Sequence, residues 1–377
     1  MRFLHTADWH IGRKLQGYDL LTEQRDAYRQ IKAIAKTEKV DAIVIAGDLY
    51  DRALASEDAV TALDDMLVDL NRHEHFPLLA ISGNHDSAVR LGQGSDWFKS
   101  TAFYLNTRLA DAFTPVVMAG TQFFLLPYFE PFAARQYFED DSLKTVAQAM
   151  KKVVDKMVAA FDPEMKHVLV AHFFAAGSTH VDSETGVQVG GLNAVPVDLL
   201  RDFDYVALGH LHRKEALQSE PTIKYSGSPL KFSTSESQDT KGVWIVDTAT
   251  DPVTVTFKPL KPLHNLVVLQ ASFEELMNPK KAFPVTPDDF VAIELTDTAP
   301  IVNVMQRLKT RFPKVTELHR INQIDVAPKT LDIDQVQQDP LTLLRDFFET
   351  VAQHPLTDQQ ETWAKQAYQR AKKEEEG

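Results

Sequence analysis

Five short segments carry the residues best able to do chemistry: Asp8-Trp9-His10, Gly47-Asp48-Leu49-Tyr50-Asp51, Gly83-Asn84-His85-Asp86, the single His172, and Gly209-His210-Leu211-His212. The chain has no cysteine. Thiolate sites and disulfides are therefore excluded, and any bound metal must be held by nitrogen and oxygen. Such donors suit Mn²⁺, Fe²⁺, Zn²⁺ or Co²⁺. In Asp8-x-His10 and His210-x-His212 both side chains share one face of an extended segment, because direction alternates at period two. Each pair can grip one ion, or two adjacent ions. Two ions about 3.5–4 Å apart form a clamp for phosphoryl transfer. A clamp of this kind needs a bridging carboxylate, and Asp48 is the natural candidate.

Short apolar runs lead into these segments: Arg2 to Thr6, Asp41 to Ala46, Leu78 to Ser82, His167 to Ala171 and Tyr205 to Leu208. They have the length and composition of buried strands. Amphipathic stretches separate them, with helical spacing over Thr22 to Lys39, Glu57 to His73 and Asp141 to Phe161. Alternating strands and helices predict a layered α/β domain, in which functional groups gather at the C-terminal ends of strands. Strands without intervening helices then follow at Ile223 to Ser226, Gly242 to Asp247 and Pro252 to Lys258. The prolines at 259 and 262 mark a boundary. We read residues 1–259 as the layered α/β domain, 260–322 as a small α+β domain, 323–339 as a linker and 340–377 as a helix pair. That pair carries Leu343, Leu344, Phe347, Phe348, Trp363 and Tyr368. Such an apolar face either seeks a partner or packs back on its own chain.

The order of the five segments resembles the calcineurin-like metallophosphoesterase superfamily. ADWHIG, GNHDS, and GHLHR followed by YSGSPLKFSTSE narrow the resemblance to its SbcD family of nuclease subunits. Asp182-Ser183-Glu184 and Val189-Gly190-Gly191 ahead of Asp204-Tyr205 fit the same group. The resemblance implies a four-layer α-β-β-α sandwich with a capping domain and a C-terminal helix pair. It implies that Asp8, His10, Asp48 and His212 hold one ion, and Asp48, Asn84, His172 and His210 the other, both ions being Mn²⁺ in the usual members. His85 would position the scissile phosphate or protonate the leaving oxygen, and Asp48 would share in catalysis. The implied activity is 3′–5′ double-strand exonuclease and single-strand or hairpin endonuclease action. It serves DNA end processing, repair and recombination, in a heterotetramer of two such subunits with the SbcC ATPase. The helix pair would bind the SbcC coiled-coil base. The helices after Asp51 and Asp86 would form a homodimer.

Around the ligands, Asp51 and Asp86 read as residues that hydrogen-bond a ligand from behind, or as cap and turn residues. Arg13, Lys14, Arg90, Ser228 and Lys231 are the candidate DNA contacts. His5, His180 and His264 lie outside any motif and read as structural or surface residues. The formal charge of −13 runs against a nucleic-acid surface; bound divalent ions add local positive charge that this sum omits. No apolar run at the N-terminus has the length of a signal peptide, and the expected location is the cytoplasm. The alternatives are a two-metal enzyme acting on a small phosphodiester or phosphomonoester, and a non-catalytic tether of DNA or ATPase.

Overall fold

The apolar runs become strands of two sheets in the computed structural model, which describes residues 1–179, 184, 194–297, 299–321, 340–352 and 355–375. The expected linker 323–339, His180, Asp182, Ser183 and Val189-Gly190-Gly191 lie outside the described residues. The chain forms two compact units. One comprises Met1–Leu269, Ala282–Ile293 and Met305–Glu317; the other comprises Gln270–Lys281, Glu294–Val304 and Leu318–Gly377.

The first unit holds both large sheets. In the six-stranded sheet the order is Thr254–Pro259, Gly242–Asp247, Arg2–Thr6, Ala42–Ala46, Leu78–Ile81 and Phe103–Asn106. Its last four strands run parallel, and Gly242–Asp247 pairs antiparallel with Arg2–Thr6. The five-stranded sheet runs Ile223–Tyr225, Tyr205–Gly209, Lys166–His172, Thr121–Leu126 and Val116–Met118, with only the last strand antiparallel.

Alternation along the strands sorts side chains into layers. Phe3, Val44, Leu79, Phe123, Val168 and Tyr205 fill the space between the sheets. Phe3 meets Phe123 and Tyr205 edge-on, with ring centroids 5.3 and 5.8 Å apart. Leu4, Ile43 and Ile45 point the other way, toward Ile31 and Ala35 of helix Leu21–Thr37 and Leu63 and Met66 of helix Glu57–Val68. On the far face of the second sheet, Leu169 and Val206 pack on Met150, Val153, Val154 and Met157 of helix Val146–Val158. The result is the α-β-β-α layering expected. The last helix is shorter than its periodic stretch because Thr145 and Gln148 form a capping box at its start. The stretch from Glu57 is capped by Ser56 and passes at Val68 into a π-helical turn, Asp69–His73.

A three-stranded sheet orders Leu266–Ala271, Phe290–Leu295 and Val315–Arg320. In the second unit, helix Phe273–Met277 begins with a Ser272–Glu275 capping box. Helices Pro340–Ala352 and Asp358–Glu375 are joined by the Arg345–Glu361 ion pair, and Thr357 caps the second. Among the described residues, no helix is long and apolar enough to cross a membrane.

Candidate metal centre

The seven expected ligands sit at strand C-termini in the first unit. Asp8 and His10 follow Arg2–Thr6, Asp48 follows Ala42–Ala46, and Asn84 follows Leu78–Ile81. His172 ends Lys166–His172, and His210 and His212 follow Tyr205–Gly209. The first three strands belong to one sheet and the last two to the other. The cluster therefore forms where the two sheets bring their ends together.

Sharp turns aim these side chains. Asp8, His10, Asp48 and His210 have φ values of 53°, 45°, 51° and 95°. A residue with a Cβ enters this region only when its surroundings compel it, and such strain gathers at functional sites. Here the compelling contacts are visible. Asp8 N donates to Gly47 O and His10 N to Asp48 O, each at 3.0 Å. The buried Gln24 amide accepts from Gly12 N at 3.0 Å and donates to His10 O at 2.7 Å. The Asp86 carboxylate accepts from Leu49 N, Tyr50 N and Gly83 N at 3.1, 2.9 and 2.9 Å, locking the Asp48 turn to the Asn84 turn. Glycine at 83 is required by crowding: a Cβ there would lie 2.1 Å from Asp48 Oδ1. At Gly47, a φ of 90° adds to a Cβ position 2.4 Å from His172 Nδ1.

Each carboxylate is anchored through one oxygen. Asp8 Oδ1 accepts from His210 N, and Asp48 Oδ1 from His85 N, both at 2.9 Å. The second oxygens face the cluster. Asp48 Oδ2 lies 3.3 Å from His172 Nε2 and 3.6 Å from His10 Nε2. His172 Nδ1 donates to Ala46 O at 2.9 Å, which fixes its tautomer and leaves Nε2 as the inward nitrogen. That nitrogen is 2.9 Å from Asn84 Oδ1, and His210 Nδ1 is 3.0 Å from the same oxygen. His10 Nε2 and His212 Nε2 are 3.1 Å apart.

Each of these short contacts needs a proton on one of its two partners, and a cation among the same atoms would take the place of those protons. Asp8 Oδ2 and His10 Nδ1 are also buried without a hydrogen-bond partner. Burial holds His10 and His212 below the ordinary histidine range, and pulls His210 down to about 3. All three offer neutral nitrogens at pH 7. Burial pushes Asp8 well up. At Asp48 burial acts in the same direction but is overcome by His172 and His10, which hold the carboxyl low. His172 responds in kind: burial opposes its charge, yet Asp48 and Asp8 raise it to about 9. Its proton stands where a cation would serve better. Among the described residues, Asp8, His10 and His212 form one group of convergent donors, Asp8, Asp48 and His172 another, and His10, Asp51 and His85 a third. These oxygen and imidazole donors fit divalent ions of the Mn²⁺–Zn²⁺ kind.

The other expected site residues divide. His85 is beside the cluster, its ring centroid 4.7 Å from that of His10. Its Nδ1 donates to Asp51 O at 2.9 Å. The Asp51 carboxylate lies 3.9 Å from His10 Nδ1 and 3.4 Å from Arg13. Arg13 also stacks over Phe232, whose ring faces both His10 and His212. Lys14 and Arg90 are exposed. Ser228 is committed inside the fold instead of facing solvent as a DNA contact, and Lys231 is half-buried. Ser228 is fully buried and donates to Leu230 O at 2.6 Å; Lys231 donates to Ser237 O and, at 3.0 Å, to Asn265 Oδ1. The turn-forming serine faces inward because the chain folds back against His212. Of the residues outside motifs, His5 is buried against Tyr205, and His264 pairs with Glu23.

Sequence reasoning missed Gln24, Tyr128, Glu236 and Lys241. Gln24 had a legible signal, a polar residue on the helix face otherwise formed by Ala27, Ile31 and Ala35. Tyr128, edge-on to His172 with centroids 6.5 Å apart, lies in a loop with no pattern to mark it.

A double-sheet sandwich with nitrogen and oxygen donors converging at its strand ends defines a metal-dependent phosphoesterase. Comparisons agree. Residues 1–214 match the calcineurin-like phosphoesterase family, and residues 262–352 match a family described as the type 5 capsule protein repressor C-terminal domain. The SbcD subunit of the SbcCD nuclease of Staphylococcus epidermidis is 33% identical over 96% of this chain and 96% of its own. The protein of the same name from Staphylococcus saprophyticus is 32% identical over the same shares. A dimetal phosphatase from Danio rerio aligns with a TM-score of 0.41 at 14% identity, over 65% of this chain and 92% of that one. The chain belongs to the calcineurin-like phosphoesterases and, within them, to the SbcD nuclease-subunit family. Family and donor geometry together support two divalent ions.

Proposed function

We propose that this chain is the nuclease subunit of an SbcC–SbcD type complex, cutting DNA with two Mn²⁺ ions. The position of Asp48 Oδ2 between His172 Nε2 and His10 Nε2 carries this reading, because it suits one carboxylate to bridge two ion positions. Asp8, His10, Asp48 and His212 would hold one ion; Asp48, Asn84, His172 and His210 the other. Bound there, two divalent ions supply Lewis acidity at a phosphodiester and a nucleophilic water near neutral pH.

The chain's own residues do the rest. Strained, cross-braced turns hold the donors in place, which lowers the reorganisation needed at reaction. Donation from His85 Nδ1 to the Asp51 carbonyl fixes the orientation of the ring beside the cluster, where it would position the scissile phosphate or protonate the leaving oxygen. Arg13, held by Asp51 and Phe232 at the edge of the cluster, is a cation within reach of a DNA phosphate.

Two surfaces support the partners. An open groove of about 870 Å³ lies between helix Glu57–Val68 and the short helices Ala88–Leu91 and Ser95–Phe98, with Trp97 and Val60 largely exposed; it suits homodimerisation. Leu343, Leu344 and Trp363 are exposed on the terminal helix pair, which suits the SbcC coiled-coil base.

Cleavage of end-labelled duplex and hairpin DNA with Mn²⁺, Mg²⁺ or chelator, beside Asp48→Ala, tests the proposal. Mn²⁺-dependent cutting that disappears with Asp48 supports it. Hydrolysis of small phosphodiesters without DNA cutting would replace it with a small-substrate enzyme.

A further inference from the structure

Behind His212 the segment Tyr225 to Lys241 folds back and buries two opposite charges. Glu236 is fully buried, and Lys241 is 7% exposed. An isolated charge in such a place is strongly unfavourable, so both need complete sets of partners. They have them. Lys241 Nζ has three protons and three acceptors: Glu236 Oε2 at 2.5 Å, His212 O at 2.8 Å and Ser228 Oγ at 3.1 Å. Glu236 Oε1 accepts from Ser233 Oγ at 2.9 Å and Phe232 N at 3.3 Å. The same oxygen lies 3.9 Å from His212 Nδ1.

This geometry has a direction. His212 turns Nε2 toward His10, so Nδ1 is the nitrogen that faces the buried carboxylate. One ammonium group holds both that carboxylate and the backbone carbonyl of the histidine itself. Carboxylates placed behind an imidazole fix its tautomer and raise its basicity toward a cation on the other nitrogen. Phe232, between Arg13 and the rings of His10 and His212, belongs to the same fold-back and closes the site from that side.

We infer that Glu236 and Lys241 are a positioning pair for His212: the carboxylate orients and polarises the ring, and the ammonium clamps the carboxylate to the His212 backbone. This rests on the reading of His212 as a metal ligand. A pair serving only to staple the segment in place would make the same hydrogen bonds, so the distinction must come from metal affinity.

The test is Mn²⁺ binding to the full chain by titration calorimetry, with electron paramagnetic resonance of the bound ion and a thermal melt of each metal-free variant. His212→Asn is the reference and should weaken one of two sites. Glu236→Gln keeps the shape but removes the charge, and should weaken that same site about 10- to 100-fold and alter its spectrum. Because Glu236→Gln leaves Lys241 without its counter-charge, the double variant Glu236→Gln with Lys241→Met removes both charges together. It should melt near the wild type while still binding the ion at that site weakly. Wild-type affinity at both sites in a folded double variant would overturn the positioning role, even where His212→Asn weakens binding. Wild-type affinity in His212→Asn itself would instead remove the ligand reading, and the inference with it.

Discussion

His10 Nε2 and His212 Nε2 face each other at 3.1 Å, across 202 residues of chain. Two imidazole nitrogens so close repel unless a proton or a cation lies between them. One neutral ring can supply that proton, but burial keeps the second, charging proton off both histidines, so nitrogen lone pairs remain to bind a cation. A divalent ion should therefore stabilise the fold. Each site filled at 100 times its Kd contributes about 2.7 kcal/mol, so Mn²⁺ should raise the melting temperature and chelator should reverse the rise. Scanning fluorimetry with and without metal checks this; an unchanged melt would remove the metal-site reading.

His85 stands beside the seven proposed ligands, in a group of convergent donors with His10 and Asp51. His85→Ala should keep both ions, because His85 bonds the Asp48 carboxylate through its backbone N–H and the substitution leaves that group in place. Cleavage should fall about 10²- to 10⁴-fold, the usual contribution of a positioned acid. Metal content and rate, measured on one preparation, separate the two roles. Loss of metal in this variant would make His85 a ligand.

The pH response of the fold has a separate source in His5. Burial lowers its pKa to about 3, against 6.5 for the free side chain. The unfolded chain therefore binds a proton at His5 that the folded chain refuses. This stability is complete above pH 6.5 and is lost as pH falls toward 3. Replacing the imidazole in His5→Gln should make the stability–pH slope in that window shallower by up to about 1.4 kcal/mol per pH unit. Denaturant unfolding in chelator at pH 4–8 checks it; an identical slope would place the titration elsewhere.

Much of the site was legible because metal chemistry restricts residue type, and turns after strands restrict spacing. Strand alternation suggests Asp8-x-His10 and His210-x-His212 as pairs, but the positive φ values of Asp8, His10 and His210 show that turns, not an extended segment, deliver both members of each pair. Strands that carry no chemistry were harder to see. Thr121–Leu126 is a central strand of the second sheet, yet TQFFLL has no polar cluster after it to draw notice. The supports behind the ligands were hidden for another reason. Glu236 and Lys241 are ordinary surface types, and only the fold-back against His212 reveals that they are buried. The same fold-back turned Ser228 inward. Asp86 lay between a turn role and a supporting role in the sequence; in the structure it is a buried carboxylate with three backbone donors.

The groove beside Trp97 predicts an effect confined to assembly. Trp97 is 82% exposed and Val60 46% exposed, a costly arrangement for side chains of this kind unless another surface covers them. Trp97→Glu should shift the protein toward monomer in sedimentation velocity and leave metal content unchanged. An unaltered sedimentation coefficient with a dimeric wild type would place the interface elsewhere.

Gly83 offers the sharpest separation of site from fold. Its φ lies outside the left-handed region, so alanine meets no backbone penalty there. The obstacle is contact alone: the new Cβ would come within 2.1 Å of Asp48 Oδ1 and 2.5 Å of Asp48 N. The carboxylate has to move, and its hydrogen bond from His85 N moves with it. Since Asp48 Oδ2 stands between His172 and His10, the shift should disturb both ion positions together. Gly83→Ala should therefore weaken binding of both ions, while Gly120→Ala, where a φ of 75° lowers stability but the new Cβ meets nothing within 4 Å, should leave metal binding unchanged. Calorimetric Mn²⁺ titrations of the two variants decide it. Full occupancy with wild-type affinity in Gly83→Ala would show that Asp48 is not held by this contact, and would undercut its place as the bridge.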